Sequence, residues 1–198
     1  FFLLTLSNIA LAFNESHLKR LLETNGCINC DLEAANLEGA KLTNADIRGT
    51  NLNFSVLKNV DLTNADLRES SLWEANLENS NLKNINLSNA NLWDANLISV
   101  DLSYSNLTNV NLISANLSNS VLISVNLMGA DLSKALLNRA NLESANITNA
   151  DLVYTLLINA NLRNVNFSNS NLFGSNLKKA ILNNTNFINT NLRRVDFS

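Results

Sequence analysis

From residue 30 onward the sequence predicts an all-β solenoid, on three observations. Every fifth residue from Leu32 to Phe197 is Leu, Ile or Phe, through 34 repeats with no insertion. Two residues before each centre stands a small side chain, Ala, Ser, Thr, Val or Cys, with Ile85 the one departure. The residue just before the centre is Asn or Asp in 27 of the 34. A period of five fits neither a helix at 3.6 nor a flat strand at 2. An α-helix would smear the leucines around its circumference, and Asn at almost every turn is a poor helix former. Repeats of this kind signal stacking units. If each five-residue unit forms one side, the large and small residues point inward, while Asn/Asp and the two variable residues point out. Asn and Asp also suit a chain that turns at every unit, because their side chains bond nearby backbone. The lack of proline fits, since each coil must donate backbone N–H groups to its neighbour.

Two segments precede the repeats. Residues 1–12, FFLLTLSNIALA, form an apolar run ending in the small-x-small pattern Ala10-Leu11-Ala12. This reads as the remnant of a secretory signal peptide, with the mature chain starting near Phe13. Twelve residues are too few to span a bilayer. The chain lacks an initial Met and stops in mid-repeat at Ser198, so the expectation is a fragment of a longer reading frame, at least at its start. Residues 13–29 read as a capping helix and turn. Asn14 or Ser16 supplies the N-cap, Leu18, Leu21 and Leu22 share one face, and Asn25-Gly26 stops the helix, with Gly in the left-handed conformation. A helix placed here covers the core and strand edges that a first coil leaves open.

The motif over residues 30–198 resembles the pentapeptide-repeat family. The resemblance implies a right-handed quadrilateral β-helix, four pentapeptides to a coil and about eight and a half coils. At sheet spacing the rod would be about 40 Å long. Residues twenty apart then stack, which puts Phe167 beneath Phe187 in the interior.

The inventory of reactive groups argues against an enzyme and against a cofactor or small-molecule substrate. His17 is the sole histidine and has no partner in the sequence. There is no glycine-rich phosphate loop and no nucleophile–base spacing. Cys27 and Cys30 form the only C-x-x-C. Zinc would need two further ligands, with only His17 to hand. A thioredoxin-like redox motif wants a helix starting at the cysteines, whereas here one ends before them. A structural disulfide bracing the first coil is the leading reading, given an oxidising compartment. The segment from Leu21 to Leu42 is similar to the start of secreted, lumenal pentapeptide-repeat proteins of cyanobacteria and chloroplasts. That second resemblance implies periplasm or thylakoid lumen.

Net charge is −3, so nothing global points to nucleic acid or to an anionic membrane. Residues 31–101 carry eleven acidic and five basic side chains; residues 102–198 carry four and seven. The expected function is a non-enzymatic scaffold outside the cytoplasm with a protein partner. The alternative implied by the family is a DNA-mimicking, gyrase-binding protein, for which the positive second half is unsuited. A homodimer through the C-terminal coil would cover Leu182, Phe187, Leu192 and Phe197. In the twenty-residue register, the position after the centre on one face reads Glu33, Asn53, Trp73, Trp93, Ile113, Ser133, Val153, Phe173, Arg193. Tyr154, Leu136 and Leu156 stand at the neighbouring corner. These residues predict one contiguous apolar stripe and a candidate interaction surface.

Overall fold

The computed structural model describes residues 14–198; the leader expected over 1–12 lies outside the described residues. Parallel bridges join each residue just before a centre to its counterpart twenty residues on, from Gly26–Asp46 through Asn176–Asp196. The chain therefore climbs one coil per four pentapeptides. Each bridge is a single residue wide, so among the described residues the walls are stacked turns and bridges rather than extended strands.

The reason lies in how one pentapeptide places its five N–H groups. In the repeat centred on Leu52, the Leu52 and Phe54 N–H groups donate upward to the Ser71 and Trp73 carbonyls (2.7 and 2.8 Å), and Asn51 N–H donates downward to Cys30 (2.9 Å). Ser55 N–H turns back to the Leu52 carbonyl (3.2 Å). The fifth donor, Asn53 N–H, is taken by the Asn51 side-chain oxygen at 3.1 Å. This last bond gives Asn/Asp its place before the centre: without it one N–H per repeat has no partner within that repeat. The corner itself falls two residues after the centre, where φ is 52–69° at every repeat from Asn29 to Arg194. Asn recurs there, and four of the five glycines occupy it, because both tolerate the left-handed region.

Centres from Cys27 through Leu177 are buried, with Phe167 stacked on Phe187 at 5.5 Å and 5° between ring planes. Buried hydroxyls at the small position mostly reach a carbonyl: Thr50 bonds Cys27 and Ser120 bonds Leu97, each in the coil below. In the last described coil Leu182, Phe187 and Leu192 are half-buried and Phe197 is exposed.

Helix α1 runs Glu15–Thr24, and its N-cap is Asn14, whose side chain accepts from the Ser16 and His17 N–H groups. Three details differ from expectation. The left-handed stop is Asn25 (φ 55°), while Gly26 already belongs to the first bridge, so coil contacts begin one repeat before Cys30. Leu21 is fully buried and Leu18 packs on the core, but Leu22 turns to solvent. His17 does have a partner: its Nδ1 accepts the Asp31 N–H at 3.0 Å, and Asn14 N–H donates to the Asp31 carbonyl at 3.2 Å. In higher coils those two groups bond the coil beneath. The start of α1 thus stands in for a missing coil at Asp31 and closes the open edge there.

Candidate interaction face

The cysteines come together at the capped end. Cys27 and Cys30 form a disulfide, and both are buried beneath α1. Among the described residues no group of three or more His, Cys, Asp or Glu is arranged to hold a metal, and no helix is long and apolar enough to cross a membrane. Two shallow grooves are present, one lined by Arg48, Gly49 and Arg68 and the other by Asn119, Arg139 and Ile158. Both are formed by outward side chains of adjacent coils.

The outward positions sort onto four faces. Face A carries the centres Leu32, Leu52, Leu72 and onward to Leu192. Its lower coils hold a ladder of three rings. Trp73 and Trp93 stack at 5.5 Å and 7°, and the Phe54 ring lies 4.6 Å from Trp73. Trp93 is 41 % and Phe54 38 % exposed, whereas Trp73, between them, is half-buried with its indole N–H enclosed and unbonded. Ser71 stands where Asn would bond the Trp73 N–H, and Asn53 Oδ1 from the coil below accepts it instead at 3.0 Å.

Its upper coils hold a second cluster. Tyr154 meets Phe173 edge-on at 5.8 Å. Gly174 leaves room for that ring, since a Cβ there would come within 2.5 Å of Tyr154 Cε1. The Arg194 guanidinium lies 5.3 Å from the Phe173 ring centre, within cation–π range. Around the corner Leu136 and Leu156 are bridge neighbours, both half-buried. Leu156 cannot accept the Ile158 N–H, and Asn138 Oδ1 does so at 3.1 Å. Ile113 and Val153 are half-buried on face A with Ser133 between them. The single stripe expected from the sequence is thus two aromatic clusters with a less bulky middle. Phe54 is not in that expectation although it sits two residues after its centre, in the same rank as Tyr154; following that rank down the rod finds it.

The ion pairs of the rod lie off this face. Asp46, Arg48, Asp66 and Arg68 form a linked set on another side, with Arg48–Asp46 and Arg68–Asp66 both at 2.7 Å and Arg48–Asp66 at 3.8 Å. Hydrogen bonds from Arg48 and Arg68 hold the Asp46 and Asp66 carboxyls below the usual aspartate range. Lys58–Glu78 and Lys83–Asp101 are the other pairs of the rod among the described residues, all in its lower half. The upper half relies more on asparagine ladders, such as Asn161 to Asn141 at 2.8 Å and Asn191 to Asn171 at 2.8 Å.

The family description "Pentapeptide repeats" matches in eight copies between residues 27 and 198. The chain belongs to the pentapeptide-repeat family. Membership brings the right-handed winding of a four-sided coil, and proteins of this family are generally structural or interaction proteins. Among solved structures the chain is similar to HetL, a pentapeptide-repeat protein involved in heterocyst differentiation regulation from the cyanobacterium Nostoc sp. strain PCC 7120. Identity is 25%, over 93% of this chain and 94% of that one, with TM-score 0.45. A pentapeptide-repeat protein of the Arabidopsis thaliana thylakoid lumen is 30% identical over 50% of this chain and 69% of its own, with TM-score 0.49. QnrB1, a plasmid-mediated fluoroquinolone resistance protein, is 20% identical over 85% and 87%, with TM-score 0.39. No curated protein matches the chain.

Proposed function

We propose that this pentapeptide-repeat protein is a non-enzymatic scaffold that works outside the cytoplasm, in a periplasm or thylakoid lumen, and binds a protein partner through face A. The observation that carries the reading is the Phe54–Trp73–Trp93 ladder on the solvent side of a fold that already has a filled core. Aromatic rings left outside a complete interior mark contact surfaces, and such rings dominate interface energetics. The Cys27–Cys30 bond supports an oxidising compartment. The leader-like residues 1–12 point the same way. A DNA-like, gyrase-directed role is disfavoured by the excess of basic over acidic residues in the upper half of the rod.

The test has two parts. Fractionation of cells expressing the full-length protein should place it outside the cytoplasm; a cytoplasmic protein with free thiols would contradict the compartment. Trp73→Ser combined with Trp93→Ser should leave the fold intact and reduce recovery of the partner at least tenfold. Unchanged recovery with unchanged stability would remove face A from consideration.

A further inference from the structure

Face A is graded by charge as well as by ring size. Its acidic side chains at the two positions after the centre are Glu33, Glu74 and Asp94, all in lower coils. The basic ones, Lys134, Arg193 and Arg194, are all in upper coils. The ion pairs of the described residues lie in α1 or on the other three faces, so none of these six charges is in one. Asp31, Asp131 and Asp151, which precede their centres, are committed to backbone N–H groups of their own repeats. Glu33 accepts a hydrogen bond from Asn51 and Arg194 lies over Phe173, but a surface with charge of opposite sign at its two ends and no ion pair of its own fits a copy of itself turned end for end.

The twenty-residue register says which side chains would meet. Two copies of face A, packed antiparallel about an axis lying across the face at Ile113, put Glu33 opposite Arg193 and Asp94 opposite Lys134. Large also meets small where Trp93 falls opposite Ser133 and Trp73 opposite Val153, while Phe54 falls on the Tyr154 ring that fills the space at Gly174. Ile113 meets its own copy. A parallel pairing would set Glu33 on Glu33, Trp93 on Trp93 and Arg193 on Arg193. We propose that face A is the interface of an antiparallel two-fold homodimer, which deepens the scaffold reading by naming the partner as a second copy of this chain. Such an interface is isologous, with each unlike pair occurring twice. One face about 40 Å long makes a contact at the small end of protein–protein interfaces, so the dimer is concentration-dependent.

Sedimentation velocity over a concentration series tests this with the full chain. Asp94→Lys sets like charges together at two symmetric places and should weaken the dimer about tenfold or more; Lys134→Asp should do the same. The double variant regenerates both pairs in reverse and should recover the wild-type dissociation constant to within about threefold. Lys134 and Asp94 already occupy equivalent left-handed corners, so each corner accepts the other's residue and the fold persists. A wild-type chain that stays monomeric, a dimer indifferent to either swap (as one through the C-terminal coil would be), or a double variant that stays weak overturns the homodimer. The scaffold reading fails separately: it survives a monomeric wild type if Trp73→Ser with Trp93→Ser still abolishes capture of another protein, and falls if capture is unchanged.

Discussion

Two stacked aromatic pairs sit in this rod, one inside and one outside, with almost the same geometry. Phe167 and Phe187 lie 5.5 Å apart at 5° in the interior; Trp73 and Trp93 lie 5.5 Å apart at 7° on the outer surface. Coil pitch sets the vertical offset in both cases, so the stacking itself says nothing about purpose. The difference lies in what each pair completes. Phe167 is fully buried and fills a centre position that some large apolar residue must occupy. The tryptophans occupy a variable position where Glu33, Asn53, Ser133 and Arg193 do equally well along the same ladder. The inner pair is explained by folding, and the outer pair is not.

Several substitutions sharpen that contrast, beginning with the most damaging. Leu112→Asp puts an unpaired carboxylate into a closed core and should cost about 4 kcal/mol or more, enough to abolish a cooperative melt. Phe167→Ala removes an inner ring and should cost about 3–5 kcal/mol in chemical denaturation. Trp93→Ser, by contrast, removes an outer ring from an exposed stack and should cost about 1 kcal/mol. Equal losses for the Phe and Trp variants would erase the distinction between the two pairs. Reduction of Cys27–Cys30 ranks below these. Its loop is very short, so the entropic contribution is small, and amide exchange should quicken around Asp31 and Leu32 while Leu112 stays protected.

Acid should have the smallest effect, concentrated in the lower half of the rod, where the pKa values of Asp46, Asp61, Asp66 and Asp101 are depressed, with Asp196 at the upper end the one other such group among the described residues. Asp46 and Asp66 have folded-state pKa values depressed below the ordinary 3.8 by their hydrogen bonds to Arg48 and Arg68. Their contribution is therefore full above the unfolded value and is lost as pH falls below it through the folded values. These groups are partly exposed, so screening limits the effect. Exchange monitored below pH 4 should rise around Asp46–Arg68 before it rises around Asn146–Asn166; uniform loosening would contradict the assignment.

The interior was readable because its signal is redundant: 34 centres repeat one chemical requirement. The roles of the other positions were less so. Asn before each centre was legible as a turn former, but the sequence did not separate its job, accepting the N–H two residues on, from that of the following corner, where φ turns positive. At the capped end each residue acts once. His17 looked partnerless because its partner is a backbone N–H fourteen residues away, which no side-chain pattern announces. Leu22 shares a helical face with Leu18 and Leu21 on spacing alone, but the area of the first coil under α1 decides which leucine is covered. Phe54 joined the tryptophans only when neighbouring outward ranks were brought together in space.

The twenty-residue register places Trp73 beneath Trp93, and proton NMR tests that placement most directly. Two indoles stacked 5.5 Å apart and 7° from parallel lie in each other's ring current, so nuclear Overhauser cross-peaks should connect the Trp73 and Trp93 rings. Trp93→Ser should shift the Trp73 ring protons downfield in a folded protein. No cross-peak between the indoles, with Trp73 shifts untouched by Trp93→Ser, would mean the rings do not meet, and would contradict both the register and the face built on it.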